Sequence, residues 1–435
     1  MPPRHMHLLD DLAWRGLAHQ ETNAEGLREH LAASRSVYAG FDPTGRSLTI
    51  GNLVPLMMLV RFQRAGHKPV VVLGGGTGLI GDPSGKSAER PVLDADEVAA
   101  NVARIRQTFE RFLDFSGPNA ARIVDNVDWL KPLGFLEVLR DIGKHFSVNM
   151  MIQKDSVRER LHNREQGISY TEFSYMLLQA YDFLHLFEHQ GVTVQISGSD
   201  QWGNIVAGID LIRRLRRTET FGLTAPLITK ADGGKFGKTE SGAVWLHGDL
   251  TSPYAFYQFW LNADDADVPK FLKVYTLLEH EQIEELCKAH AENPGARTAH
   301  RALAAHVTEL VHGKEGLVQA ESATQALFSG DVTGLSKETL DEVFKNTASA
   351  TFDRKKLAEG VLLVDFLVET QAVKSKREAR ELLSTNAILV NGRRGTLEDR
   401  VDESWLLHDE MALIRRGKKT WHVVRIATSP VAPAG

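Results

Sequence analysis

The chain has 435 residues, 43% hydrophobic and 25% charged, a globular composition long enough for two or three domains, with no stretch that reads as a membrane span or secretion signal. Its single cysteine, Cys287, excludes an intramolecular disulfide and a cysteine-based zinc site and fits a reducing cytoplasm. The net charge of −5 argues against a general nucleic-acid binder, although residues 353–435 carry 15 Lys and Arg against 12 Asp and Glu, a net of +3. In chain order, "SVYAGF" reads as a strand, the stretch from about Gly51 to Ala65 as a helix, "KPVVVLGG" as a strand and "DEVAANVARIRQTFERFL" as a helix. "ARIVDN", the long helix "TEFSYMLLQAYDFLHLF" and the strand "VTVQISG" follow. This alternation predicts a parallel α/β sheet with ligands at the C-terminal ends of its strands. From Ser252 to about Phe344 the pattern is nearly all helical. After Thr351, two short helices, "VDFLVET" and "SKREARELLSTN", precede the strand-like "AILVNGRR", "MALIRRG" and "TWHVVRIA", with a turn at Asn391 and Gly392. The expected domains are 1–248 (α/β), 249–350 (α-helical) and 351–435 (small, α+β).

The glycine-dense "GGGTGLIGDPSGKS", residues 74–87, matches two phosphate-binding patterns in part. Gly76, Gly78 and Gly81 satisfy the dinucleotide fingerprint, but a strand and a helix already precede them, and Asp82 and Pro83 follow. The P-loop pattern fails on count, because Ile80 stands where it needs glycine. A tight strand-to-helix connection explains the glycines; alternatively, Asp82 receives an ammonium group there.

Four other stretches carry candidate chemistry. Ser169 and Glu172 form a capping box, so Tyr175, Gln179 and Asp182 fall at i, i+4 and i+7 on one helix. That stripe is either a satisfied core network or the polar wall of a pocket for a small zwitterion with a phenol or amide tip. "GSDQWGN" offers Asp200 to a ribose hydroxyl pair and Gly198 for close approach of a nucleoside, unless it is an ordinary capped loop. "KADGGKFGKTESG", residues 230–242, has three lysines and one apolar anchor, Phe236; it suits charge developing on a departing pyrophosphate, or a solvated surface. In "YAGFDPTGRSLTIGNL", Pro43 stiffens a turn, Thr44 offers a hydroxyl, and Ile50, Gly51 and Asn52 open a helix whose N-terminus suits phosphates. The 17 histidines show no metal-ligand spacing, and no metal site is expected.

Together and in order, from about Leu8 to Ala427, these stretches resemble the bacterial tyrosyl-tRNA synthetases, a family of class I aminoacyl-tRNA synthetases. "YAGFDPT" with "TIGN", "GLIGDPSGK", "EFSYMLLQAYDF", "SGSDQWGN" and "KFGKT" carry the likeness. The resemblance implies a Rossmann-like catalytic domain, a helical tRNA-contacting domain, and a C-terminal fold like an RNA-binding ribosomal small-subunit protein. It implies adenylation of L-tyrosine by ATP with Mg2+ and transfer to the terminal ribose of tRNA(Tyr), in the cytoplasm, without an organic cofactor. Tyr38 and Asp182 would bind the phenolic hydroxyl, Asp82, Tyr175 and Gln179 the ammonium, and Gln201 would sit by the carboxylate. Gly40, Asp42, Gly51, Gly198, Asp200 and Lys238 would contact ATP. Thr44, Thr49, Asn52, Lys235, Lys238 and Thr239 would stabilise the transition state. A homodimer is implied, through an insertion around 120–165 that holds "FLEVLRDIGKHFSVNMMI". The chain departs from the family's HIGH-type motif with Thr49 at the first place and Asn52 at the last, and Ala39 replaces a common ribose-contacting cysteine.

Overall fold

The computed structural model describes residues 6–84, 93–154, 157–158, 161, 167–231, 233–234, 236–239, 242–345, 347–417 and 420–427. The chain packs as two units. One holds the residues up to Thr251 together with Phe259–His312; the other holds Ser252–Gln258 and the residues from Gly313 onward.

The first unit is built on a six-stranded sheet of β1 (Gln20–Glu21), β2 (Ser36–Phe41), β3 (Lys68–Leu73), β4 (Arg122–Asp125), β5 (Val192–Gly198) and β6 (Phe221–Ala225). The strand order is β1-β6-β5-β2-β3-β4, parallel throughout except for the short edge strand β1. Val70 to Leu73 are all buried, as a run of Val and Leu with no polar alternation requires of a strand covered on both faces. Helix α1 (Ile50–Arg64) connects β2 to β3, α2 (Ala95–Phe109) precedes β4, α3 (Tyr170–Gln190) leads into β5, and α4 (Trp202–Arg216) connects β5 to β6.

Strand order reverses between β2 and β5, and Tyr38 of β2 lies opposite Gln195 of β5. Such a switch point leaves a crevice beyond the carboxyl ends of the strands, because the connecting helices diverge to opposite faces. Helices α5 (Val268–Tyr275) and α6 (His280–Glu292) complete this unit with the start of the run Thr298–Ser329, which is broken at Gly313, where φ is 76°.

The second unit carries a five-stranded sheet formed by Ser349–Asp353, Ile388–Val390, Arg393–Arg394, Met411–Arg416 and Thr420–Ala427. The helices Leu363–Glu369 and Lys376–Ser384 contribute Phe366, Leu367 and Leu383 to a core shared with Ile388, Ile414 and Val424. Asn391 and Gly392 have φ of 50° and 83°, the left-handed pair that a two-residue hairpin turn between Val390 and Arg393 needs. The α/β class with helical and α+β parts expected from the sequence is the observed one.

Candidate functional site

At the strand switch lies a cleft of about 620 Å³, the size of a small-molecule site. β2 and the turn after it supply Tyr38, Gly40, Asp42 and Thr44, and the start of α1 supplies Gly51 and Asn52 beside Thr49. Asp82 comes from the glycine turn; Tyr175, Gln179 and Asp182 come from α3, and Gly198, Asp200 and Gln201 from the end of β5. The structure thus brings together every described candidate side chain. Lys235 lies outside the described residues. Lys238 and Thr239 form a two-residue strand paired with Gly242–Ala243, and their side chains are not described.

Asp182 sits at the buried end. The Trp129 indole N–H donates to its Oδ1 at 2.7 Å and the Asn126 amide to its Oδ2 at 3.0 Å. Burial nevertheless pushes its pKa up to about 7, against the two hydrogen bonds, which favour the ionised form. The Tyr38 hydroxyl is fully buried and has no hydrogen-bond partner in the structure. Burial and the Asp182 charge together raise its pKa well above the usual phenol value, so it is a neutral O–H with unused capacity. Gln195 of β5 also lines the cleft, with a buried Oε1 that lacks a partner.

The Tyr175 hydroxyl donates to Asp42 Oδ2 at 2.8 Å, and Thr77 Oγ1 donates to Asp42 Oδ1 at 2.7 Å. Asp82 accepts from the Gln201 amide at 2.6 Å, and Gln179 accepts from Asn204 at 2.9 Å. The described lining holds four carboxylates, Asp42, Asp82, Asp182 and Asp200, and no lysine or arginine. Such a wall attracts an ammonium group and repels a triphosphate, so a nucleotide here needs cations brought by a loop or by the nucleotide itself.

The glycine turn has spent its amides internally. The N–H of Gly75 goes to Asp125, those of Gly76 and Thr77 to Asn126, and that of Gly78 to the carbonyl of Gly74. A phosphate nest needs several free, convergent N–H groups, and these four are occupied. Close packing of acids explains the residues instead: a Cβ on Gly74 would lie 2.1 Å from Asp42 Oδ1, and one on Gly75 would lie 2.3 Å from Asp125 Oδ1.

Two separated stretches meet at the start of α1. Asn52 Oδ1 accepts from the Thr49 amide at 2.9 Å and from the Thr49 hydroxyl at 3.0 Å, capping the helix. The Ile50 amide donates to Val244, and the Val244 amide donates to Gly237, so backbone hydrogen bonds hold the lysine-rich loop against "TIGN". Phe236 anchors that loop among Phe259, Trp260, Phe271 and Tyr275, with ring centroids 4.5 to 5.6 Å away.

Sequence reasoning missed Asn126, Trp129, Asp125 and Thr77. For Asp125 and Asn126 the signal was "ARIVDN" itself, a strand ending in Asp-Asn at the edge where ligands bind. Gly198 also has a more local reason than nucleoside approach, because a Cβ there would lie 2.6 Å from Asp200 Oδ1.

Residues 32–329 match the family model described as tRNA synthetases class I (W and Y), and residues 339–424 match that of the tyrosine–tRNA ligase SYY-like C-terminal domain. The chain is 49% identical over 429 residues to a tyrosine–tRNA ligase of Roseiflexus castenholzii, covering 96% of this chain and 99% of the relative. It is 50% identical over 428 residues to one of Geobacillus kaustophilus, covering 97% and 100%. Among solved structures, a C-terminally truncated mitochondrial tyrosyl-tRNA synthetase of Coccidioides posadasii superposes with a TM-score of 0.65 at 31% identity, over 74% of this chain and 92% of that one. Among the described residues, no helix is long and apolar enough to cross a membrane.

Proposed function

The chain belongs to the class I tyrosine–tRNA ligases, which use ATP to charge tRNA with tyrosine, and from that premise we propose how its cleft divides the work. The tyrosine hydroxyl enters between Tyr38 and Asp182, accepting from the first and donating to the second when that carboxylate is ionised. The ammonium is held by Asp82 with Tyr175 and Gln179, and Gln201 lies beside the carboxylate. ATP enters as its magnesium complex, with Asp200 and Gly198 at the ribose and Gly40, Asp42 and Gly51 near the nucleotide. The tyrosine carboxylate then attacks the α-phosphorus, and pyrophosphate leaves. Lys235, Lys238 and Thr239, with Thr44, Thr49 and Asn52, meet the charge that develops on the leaving group. The anionic lining supports this division, since it offers the triphosphate no cation of its own.

The helices in 249–350 and the domain in 351–435 take tRNA(Tyr), chiefly through phosphates and shape. Exposed Lys374, Arg377, Arg380, Arg393 and Arg394 support that assignment for the tail, with Arg393 seated 4.3 Å over the Trp405 ring. A second copy covers the 120–165 insertion, where Phe135 and Leu136 stand 67% and 79% exposed and Val148 and Met150 are exposed as well. The ligase acts in the cytoplasm, as one unpaired cysteine suits.

The observation that carries the tyrosine assignment is the buried, unpartnered Tyr38 hydroxyl beside Asp182. Tyr38→Phe tests it by tyrosine-dependent ATP–pyrophosphate exchange. The expected result is a rise of about tenfold in the tyrosine KM, the worth of one buried hydrogen bond, with stability unchanged or slightly higher because an orphaned hydroxyl is gone. An unchanged KM would remove Tyr38 from substrate binding.

A further inference from the structure

Asp182 takes one of its two hydrogen bonds from the Trp129 indole, and that bond holds only while the indole keeps its plane. The N–H lies at the ring edge, so rotation of the ring swings the donor away, and a hydrogen bond weakens steeply as its angle closes toward 120°. Trp129 stands on a helix of only four residues, Val127–Leu130, just past β4. The aromatic side chain laid flat on it is His185, with ring centroids 4.5 Å apart and planes 13° from parallel. Residues three apart on a helix share a face, so α3 presents both the carboxylate of Asp182 and the ring that bears on its donor. His189 follows one turn later, its centroid 4.3 Å from that of His185.

The stack works by shape rather than charge. The titratable groups facing His185 are His189, Glu188 and Tyr181. Burial first, and His189 second, hold the His185 pKa below the usual histidine value, so the ring is uncharged at pH 7 and above. Asp182 is faced by Tyr38 and Asp42 from β2 and its turn, by Asp125 from β4, and by Tyr175 and Tyr181 of its own helix. His185 and Trp129 both stand outside the cleft lining, so any influence of His185 on substrate passes through the indole and then Asp182.

We propose that His185 is a positioning residue for tyrosine recognition: its imidazole holds the Trp129 indole in the plane from which the N–H reaches Asp182, and so keeps that carboxylate able to accept from the substrate phenol. The inference rests on the placement of the phenol between Tyr38 and Asp182. A stacked aromatic pair favours its geometry by a factor of about 2 to 12, which bounds what its loss can do to the Asp182 hydrogen bond. That factor corresponds to an upward displacement of the Asp182 titration by about 0.4 to 1.1 pH units, because the lost donor favoured the ionised form.

The experiment measures ATP–pyrophosphate exchange against pH for the full chain, for His185→Ala and for His185→Phe, with Trp129→Phe as reference. His185→Ala should move the acid limb of kcat/KM for tyrosine upward from about pH 7, lower kcat/KM about 2- to 7-fold at pH 7, recover at alkaline pH, and leave the KM for ATP unchanged. His185→Phe keeps a flat ring without a titrating group and should retain the wild-type profile. A loss that is equal at every pH, or a phenylalanine variant no better than alanine, overturns the proposal. If Trp129→Phe moves the limb and His185→Ala does not, His185 has no positioning role while the Asp182 assignment stands; if neither moves it, the Asp182 assignment fails and the proposal with it.

Discussion

Replacing Trp129 with Phe keeps an aromatic ring against His185, now stacked at 4.5 Å between centroids, but removes the 2.7 Å hydrogen bond to Asp182. A hydrogen bond to a charged group is worth about 1.5 to 3 kcal/mol, and one pKa unit corresponds to about 1.36 kcal/mol, so the Asp182 pKa should rise by roughly one to two units. The sign follows from the donor favouring the ionised carboxylate: without it the proton is held to higher pH. The pKa of Asp182 is about 7 with both donors in place, so at pH 7.5 about three quarters of the molecules carry the carboxylate that accepts from the substrate phenol. In the variant that fraction falls to between about a quarter and a thirtieth, and kcat/KM for tyrosine should drop by about 3-fold to 25-fold at that pH. The assay is ATP–pyrophosphate exchange as a function of pH. The wild type should lose kcat/KM as pH falls through about 7, and the variant should show the same limb displaced upward, with recovery at alkaline pH. A loss that is equal at every pH would refute the reasoning and leave Trp129 a packing residue.

Thr49→Val removes the hydroxyl that bonds Asn52 and should slow adenylation with little change in tyrosine affinity; stopped-flow formation of the adenylate measures both, and an unchanged rate excludes Thr49 from the mechanism. Gly74→Ala would drive a methyl group into Asp42 and Thr77, costing about 1 to 3 kcal/mol in thermal or denaturant unfolding and breaking the contact that positions Tyr175. Leu136→Glu places a charge on the exposed apolar insertion, and analytical ultracentrifugation should show a shift from dimer to monomer; a wild type that is monomeric at micromolar concentration contradicts the assignment.

What could be read from the sequence was whatever is contiguous. The βαβ alternation, the long helix with Tyr175, Gln179 and Asp182 on one side, and the Asn391-Gly392 turn each lie within one short stretch, where periodicity and turn chemistry apply. The partners that give those residues their chemistry come from elsewhere in the chain. Asn126 and Trp129 set the state of Asp182 across 56 and 53 positions, and no local pattern carries such a contact. The close approach of two acids to Gly74 and Gly75, which leaves no room for a Cβ there, appears only in three dimensions. Phe236 stood out as the lone apolar residue of its loop, while the aromatic cluster that receives it is assembled from α5 and its neighbours.

The most direct measurement is ATP–pyrophosphate exchange by the intact chain with tyrosine, phenylalanine and tryptophan in parallel. A site built around a substrate hydroxyl rejects the analogue without it by roughly 10⁴ to 10⁵-fold, a magnitude already known for tyrosyl-tRNA synthetases as a class. The placement of the phenol between Tyr38 and Asp182 predicts exchange with tyrosine alone at matched concentrations. Comparable exchange with phenylalanine would contradict it, because then no buried partner is left unsatisfied when the hydroxyl is missing.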